Sequence, residues 1–375
     1  MKDKTINQEP KRIRFYLNDE LNPLDDKIRD DISSVVRTGK NIWIAFDESL
    51  GLERLELVTF ADNQQSYKKH AHFKLEDYID LVDDSEVDIE GLAYDDYYLW
   101  LTGSQSKKRN DVDKEDDLKE QIDDLSELQY DYNRYTLARI PCVPNKETGD
   151  WELHKETPHP ENKDITLRAA QLKRGKKHTQ LSKKLSKDRH FEKFMDLPCK
   201  ENGFDIEGLA VNGDRIFLGM RGPVLRGWAT IVEIQVKETK KGKLKLKKIG
   251  EEIDGKTMKY RKHFLDLKGM GIRELCLQTD DLLILGGPTM DLDGTISLYR
   301  IKDGLKDEEY SITPEVERLF DVVKGAEIKK GKDKAEGIAP MPNGDLLVVY
   351  DAPVDDRLIG ETDIEMDIFP YAPYK

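Results

Sequence analysis

The chain has 375 residues, 36% charged and 37% hydrophobic, enough for one large repeat domain or two ordinary ones with a sizeable core. A net charge of −14 and a pI near 5.2 argue against nucleic acid or an anionic membrane surface as the main partner. Cys142, Cys199 and Cys276 are odd in number and lack CxxC spacing, which argues against a disulfide framework or zinc knuckle and fits a reducing cytoplasm.

The N-terminal MKDKTINQEPKRIRF lacks the apolar centre of a signal peptide, and no 18-residue apolar run follows. A soluble cytoplasmic protein without a membrane partner is expected. Residues 12–17 (RIRFYL) read as a strand that closes a ring against the C-terminal end of the chain, removing exposed sheet edges.

Five segments then repeat one pattern: an apolar strand, a polar turn and a second apolar strand ending in small or charged residues. They are DISSVVRTGKNIWIAFDES (31–49), DIEGLAYDDYYLWLTGSQS (88–106), DIEGLAVNGDRIFLGMRGP (205–223), GIRELCLQTDDLLILGGPT (271–289) and KAEGIAPMPNGDLLVVYDAP (334–353). A third strand is expected after most of them, at 52–60, 134–143, 228–236 and 294–301. Spacings near 60 residues, with no regular helix between units, predict an all-β propeller forming one domain over 1–375. Five blades are expected, with six as the alternative, because units two and three lie 117 residues apart.

Charged insertions explain that gap better than a sixth blade. Residues 111–131 carry ten acidic residues with Leu118, Ile122, Leu125 and Leu128 at helical spacing. Residues 164–200 carry eleven Lys or Arg against four Asp or Glu, with Leu181, Leu185 and Phe191 hinting at a second amphipathic helix. Partly helical insertions at about 107–133 and 164–200 are therefore predicted, the acidic one able to neutralise basic sequence within the fold or across a dimer. The tail DIEMDIFPYAPYK reads as a peripheral strand or strap.

In a propeller the first strand of each blade lines a central channel. The third position of each unit gives Ser33, Glu90, Glu207, Arg273 and Glu336, which should converge at the channel mouth. Three carboxylates in a narrow funnel demand a cation. Arg273 is the built-in choice; calcium held by Glu90, Glu207 and Glu336 is the other. The plain alternative is that Arg273 ties the blades through ion pairs without any ligand.

Loops from second to third strands add a polar collar: Asp47 and Glu48, Ser104 with Lys107, Lys108 and Arg109, Arg221 and Arg226, Asp291 and Asp293, and Asp351. Guanidinium forks beside Gly and Pro suit a small anion such as phosphate or carboxylate. Against this, Asp at a blade turn is more often a turn-former, and Arg226 has Trp228 nearby to stack on. His70 and His72 alternate on one strand face, a pattern that is usually surface rather than metal site. No GxSxG, P-loop, HExxH or Rossmann GxGxxG motif occurs. The basic runs lack the interleaved aromatics that stack on bases.

The motifs DIEGLAVNGDRIFLGMRGPVLRGWA, GIREL, GGPTMDLDGT and AEGIAPMPNGDLLVVYDAP closely resemble a bacterial family known as a domain of unknown function. That family is grouped with β-propellers and is distantly similar to phytase-like and esterase-like propellers. The resemblance runs from about residue 31 to 353 and implies a propeller fold; it carries no established activity. The family pattern favours His where Gln105 stands and Asp where Glu274 stands, which puts histidine-dependent chemistry at the blade-two loop in doubt.

The expected function is a phosphoesterase-like or related hydrolase acting on a small anionic substrate. Glu90, Glu207, Arg273 and Glu336 are its catalytic or metal-holding residues, and Ser104, Arg221, Arg226 and Asp351 its substrate-binding residues. The alternative is a non-catalytic module that binds a small anion or a protein partner on the same face.

Overall fold

Each of the five segments folds back on itself as an antiparallel hairpin. Ile32–Thr38 pairs with Asn41–Phe46, Ile89–Asp95 with Tyr98–Gly103, Asp205–Asn212 with Arg215–Gly222, Gly271–Gln278 with Asp281–Gly287, and Lys334–Pro340 with Leu346–Asp351. The computed structural model describes residues 9–21, 27–46, 49–110, 112–113, 116–253, 255–308, 310–324 and 333–371.

Third strands follow as the β-branched and aromatic runs predict: Gly51–Thr59, Leu137–Pro144, Trp228–Ile234 and Ile296–Ile301. In unit five that place is taken by Asp363–Phe369, so the tail is an integral strand with buried Ile364 and Met366. Lys11–Phe15 lies antiparallel to it and touches Gln65–Lys74 of unit one in parallel register. The two ends of the chain therefore close the array.

The five first strands are neighbours in a closed cycle, in the order 32–38, 89–95, 205–212, 271–278, 334–340 and back to 32–38. Their spacing is close. A Cβ on Gly91 would come within 2.7 Å of the Leu209 side chain, one on Gly208 within 2.8 Å of Leu275, and one on Gly337 within 2.9 Å of the Val35 nitrogen. Glycine is what lets adjacent inner strands approach this far. The result is a mostly-β, propeller-like fold.

The core lies between units rather than inside any one of them. Trp43, Leu52, Ile89 and Leu101 fill the seam of units one and two; Ile206, Leu218 and Leu137 that of two and three. Phe217 and Ile284 join units three and four, while Ile44, Leu298 and Val348 join four, five and one. Each hairpin is thus stable only beside its neighbours.

The charged stretches differ from the prediction in kind. The acidic one contains a helix, Leu118–Asp124, capped by Asp117, which accepts from the Lys119 and Glu120 N–H groups. Its apolar stripe faces solvent: Leu118 is 73% and Ile122 57% exposed. In the basic stretch the helix shrinks to Ser182–Leu185, and Ala170–Leu172 is the fourth strand of unit two. Leu181, at the N-cap of that helix, and Leu185 lie one turn apart, the Leu185 N–H donating to the Leu181 carbonyl at 3.0 Å, and both are fully buried, as is Phe191 from the turns that follow. Contacts between the stretches are crossed: Lys107 meets Asp196 at 2.6 Å, Arg109 meets Glu201, and both Lys107 and Lys177 sit over the Tyr130 ring.

Candidate functional site at the channel mouth

In every inner strand the ladder slips at the same residue. Ser33, Glu90, Glu207, Arg273 and Glu336 are each the extra residue of a β-bulge, at the point where the register shifts. A bulge bends its strand and re-aims the side chain it carries. The third position is therefore singled out by backbone geometry in all five units.

The three charged members of this set on units three to five, together with Arg221, form a buried chain of ion pairs. Arg221, from the end of a second strand, holds Glu207 at 2.6 Å and stands 3.9 Å from Asp205. Arg273 holds Glu336 at 2.5 Å and stands 3.9 Å from the other oxygen of Glu207. The field of Glu90 reaches Arg221. On one flank Arg134 binds Asp88 at 3.0 Å and Glu86 at 2.8 Å; on the other Lys334 binds Asp291 at 3.2 Å and lies 3.9 Å from Asp351. Ser33 leaves this set, because its hydroxyl donates to the Ile89 carbonyl at 2.6 Å.

Two carboxyl groups here hold their protons near neutrality. Burial, reinforced by Glu207, pushes Asp205 up to about 7 against the pull of Arg221. Burial, reinforced by Glu336, pushes Asp351 up to about 7 against Lys334. Burial also raises Glu207. Several buried atoms of the ring have no hydrogen-bond partner: Asp88 Oδ2, Asp205 Oδ1, Glu207 Oε2, Arg221 Nε and Arg273 Nε. Beside them Arg221, Arg273 and Lys334 line a recess with Asp291 and Asp293, about 20 Å³ in volume, room for one water-sized group.

Below the mouth a cross-tie closes the channel. The fourth position is glycine in three units but Ser34 in unit one and Glu274 in unit four. Glu274 Oε1 accepts from the Leu275 and Leu209 N–H groups at 2.8 and 3.2 Å, and Oε2 is bonded to the Ser34 hydroxyl at 2.8 Å. Ser34 in turn accepts the Leu92 N–H at 3.0 Å. Burial raises the Glu274 carboxyl well above its ordinary value against the pull of these donors, which favours its neutral form. Beyond it the channel turns apolar, opening on a cavity of about 160 Å³ walled by Val35, Leu92, Leu209, Leu275 and Ile338.

Of the residues singled out in the sequence, Glu207, Arg221, Arg273 and Glu336 meet directly, with Glu90 and Asp351 in the surrounding field. Ser104 is buried beneath them, accepting from the Ser106 hydroxyl at 3.0 Å while its carbonyl accepts the Ile206 N–H. Gln105 turns toward Thr179, 2.8 Å away, rather than to the channel. Arg226 is an exposed residue at φ +50° in the Leu225–Trp228 turn and does not line the recess. Asp47 and Glu48 lie outside the described residues. Among the described residues no three His, Cys, Asp or Glu side chains are grouped to hold a metal ion. Arg221 and Arg273 put positive charge beside Glu207 and Glu336, and the field of Glu90 reaches Arg221.

Sequence reasoning missed Asp205, Asp88, Arg134 and Lys334. The signal was present, since units one to three all begin with Asp (31, 88 and 205). Also among the described residues, no helix is long and apolar enough to cross a membrane.

A family model described as a protein of unknown function (DUF3616) matches residues 31–367. No curated protein sequence matches the chain. Similar solved structures include Myxococcus xanthus glutaminyl cyclase, 9% identical with a TM-score of 0.36 over 97% of this chain and 100% of that one. A streptogramin B lyase is 9% identical with a TM-score of 0.32 over 96% and 98%. A glucose dehydrogenase is 11% identical with a TM-score of 0.34 over 92% and 82%. At these identities and scores the likenesses carry nothing about chemistry.

Proposed function

We propose that this chain, which belongs to the DUF3616 family of proteins of unknown function, is a single-domain five-bladed propeller that binds a small anionic ligand at its channel mouth and hydrolyses it. The observation that carries this reading is the pairing of opposite tasks in one buried ring. Arg221 and Arg273 offer fixed positive charge, while Asp205 and Asp351 keep transferable protons at neutral pH.

In this reading the anionic group of the substrate lies against Arg221, Arg273 and Lys334, whose charge also offsets negative charge developing in the transition state. Asp351 or Asp205 donates a proton to the leaving oxygen. Glu207 or Glu336, carried on bulges, accepts a proton from the attacking water. Phosphate or carboxylate esters are the substrate class, consistent with the guanidinium chemistry.

The rival is a binding module on the same face, favoured by the fact that both arginines already hold carboxylates. A panel of phosphate and carboxylate esters distinguishes them. Turnover that falls about 10²–10⁴-fold in Asp351→Asn, Asp205→Asn or Glu207→Gln is expected of the hydrolase. Thermal stabilisation by a panel member, without turnover by the wild type, identifies the binding module instead.

A further inference from the structure

We propose that residues 288–294 form a lid shut over this mouth, with the Asp291 carboxylate standing where the substrate's anionic group lies once the lid opens; the inference rests on the mouth being the ligand site. The recess beside Arg221 and Arg273 has a volume of about 20 Å³, room for one water-sized group. A carboxylate or phosphate group is larger than that, so part of the wall must give way before either arginine meets it. The arginines themselves are poor candidates for movement, being buried and held by Glu207 and Glu336. Most of the remaining wall is a single loop, with Pro288, Met290, Asp291, Leu292, Asp293 and Gly294 all lining the recess.

This loop joins Asp281–Gly287 to Ile296–Ile301 and is folded on itself. A Cβ on Gly294 would come within 2.6 Å of Pro288 Cγ, so the two ends of the loop pack together. Between them the Leu292 N–H donates to the Met290 carbonyl at 2.8 Å. Met290 and Leu292 are 44% and 61% exposed, so little apolar burial fastens the loop to the body. Its ties to other segments include a single bridge from Met290 to Glu201 and the ion pair of Asp291 with Lys334 at 3.2 Å.

Asp291 is the part of the loop that bears on the ligand. Lys334, with Lys200 and Arg221 behind it, holds the Asp291 carboxyl below its ordinary range. The positive side of the mouth therefore already carries a carboxylate, and that carboxylate belongs to the lid. A substrate anion brought to Lys334 and Arg221 meets Asp291 as a like charge, and taking its place removes the ion pair that fastens the loop. Ligand entry and lid opening are then one event. The ion pair faces water, the Asp291 side chain being 65% exposed, so it is a weak latch rather than a lock.

Two variants open the lid by different routes. Asp291→Asn removes the latch charge, and Gly294→Ala forces the loop ends apart with no change of charge. Hydrogen–deuterium exchange over 288–294 and titration calorimetry with inorganic phosphate at low salt are measured on both and on the wild type. Each variant is expected to exchange faster in the loop and to bind phosphate about two- to fivefold more tightly, the range of an exposed ion pair. Loop exchange equal to wild type in both variants overturns the lid. Faster exchange with phosphate affinity unchanged in both also overturns it, and leaves the mouth standing as an anion site. If none of the three proteins binds phosphate, the ligand-site reading falls and takes this inference with it.

Discussion

Two regions of the molecule bury carboxylates, and they do it in opposite ways. On the outer strands of unit three Glu233 is fully buried, yet both oxygens are saturated: Arg215 binds at 2.9 Å twice, His263 at 2.9 Å and Arg261 at 3.2 Å. After burial, which raises it, these donors pull Glu233 down to about 2. In unit one Glu53 accepts from His70 and His72, both at 2.6 Å, and is likewise lowered. At the channel mouth Asp205, as deeply buried, and Asp351, partly buried, are under-donated, and both rise to about 7. Burial alone is therefore not diagnostic. A satisfied carboxylate reads as structural, and an unsatisfied one as poised for a ligand or a proton.

The largest effect should come from breaking a satisfied cluster. Glu233→Ala strands Arg215, Arg261 and His263 and is expected to cost about 3–5 kcal/mol in urea unfolding, whereas Asp205→Asn should cost under about 1 kcal/mol. Equal losses in the two variants would erase the distinction.

A smaller effect of opposite sign belongs to the cross-tie. Glu274 has a folded-state pKa raised above its ordinary 4.5, so stability is highest at low pH and declines as pH rises from 4.5 toward the raised value. Glu274→Gln keeps the shape and both acceptor bonds of Oε1, and is expected to gain about 1–2 kcal/mol at pH 8 and little at pH 4. Destabilisation at pH 8 would mean that the carboxylate is ionised in the fold.

The wild-type pH profile sharpens the contrast further. Glu233 contributes stability above its ordinary 4.5 that is lost as pH falls from 4.5 to about 2. Asp205 and Asp351 act the other way, lowering stability as pH rises from 3.8 to about 7 and no further. The double variant Asp205→Asn, Asp351→Asn should flatten the upper slope while leaving the acid limb intact; an unchanged upper slope would assign it to other groups.

Least of all should come from residues whose side chains face solvent away from both regions. Arg226→Ala and Leu118→Ser are expected within about 0.5 kcal/mol of wild type by thermal unfolding. Arg226→Ala should also leave ligand affinity at the mouth unaltered, and a tenfold loss there would return Arg226 to the site.

Much of the fold was legible because hairpins advertise themselves locally. Period-2 apolar runs around Asn212-Gly213 or Asn343-Gly344 identify strand, turn and strand from a few neighbouring residues. The fourth strand of unit two was not, since Ala170–Leu172 is three residues long inside a lysine-rich stretch. Nor was the partner of His70 and His72, because Glu53 lies on the facing strand of an unremarked pair.

From the chain alone one could determine the repeat, the closing N-terminal strand and the equivalent positions Glu90, Glu207, Arg273 and Glu336, because these depend on local periodicity and on alignment of units. Only the tertiary structure decided which charges meet, which oxygens lack donors, and that Glu274 bars the channel. Those outcomes depend on distances between strands tens to hundreds of residues apart, and on a desolvation that no local pattern records.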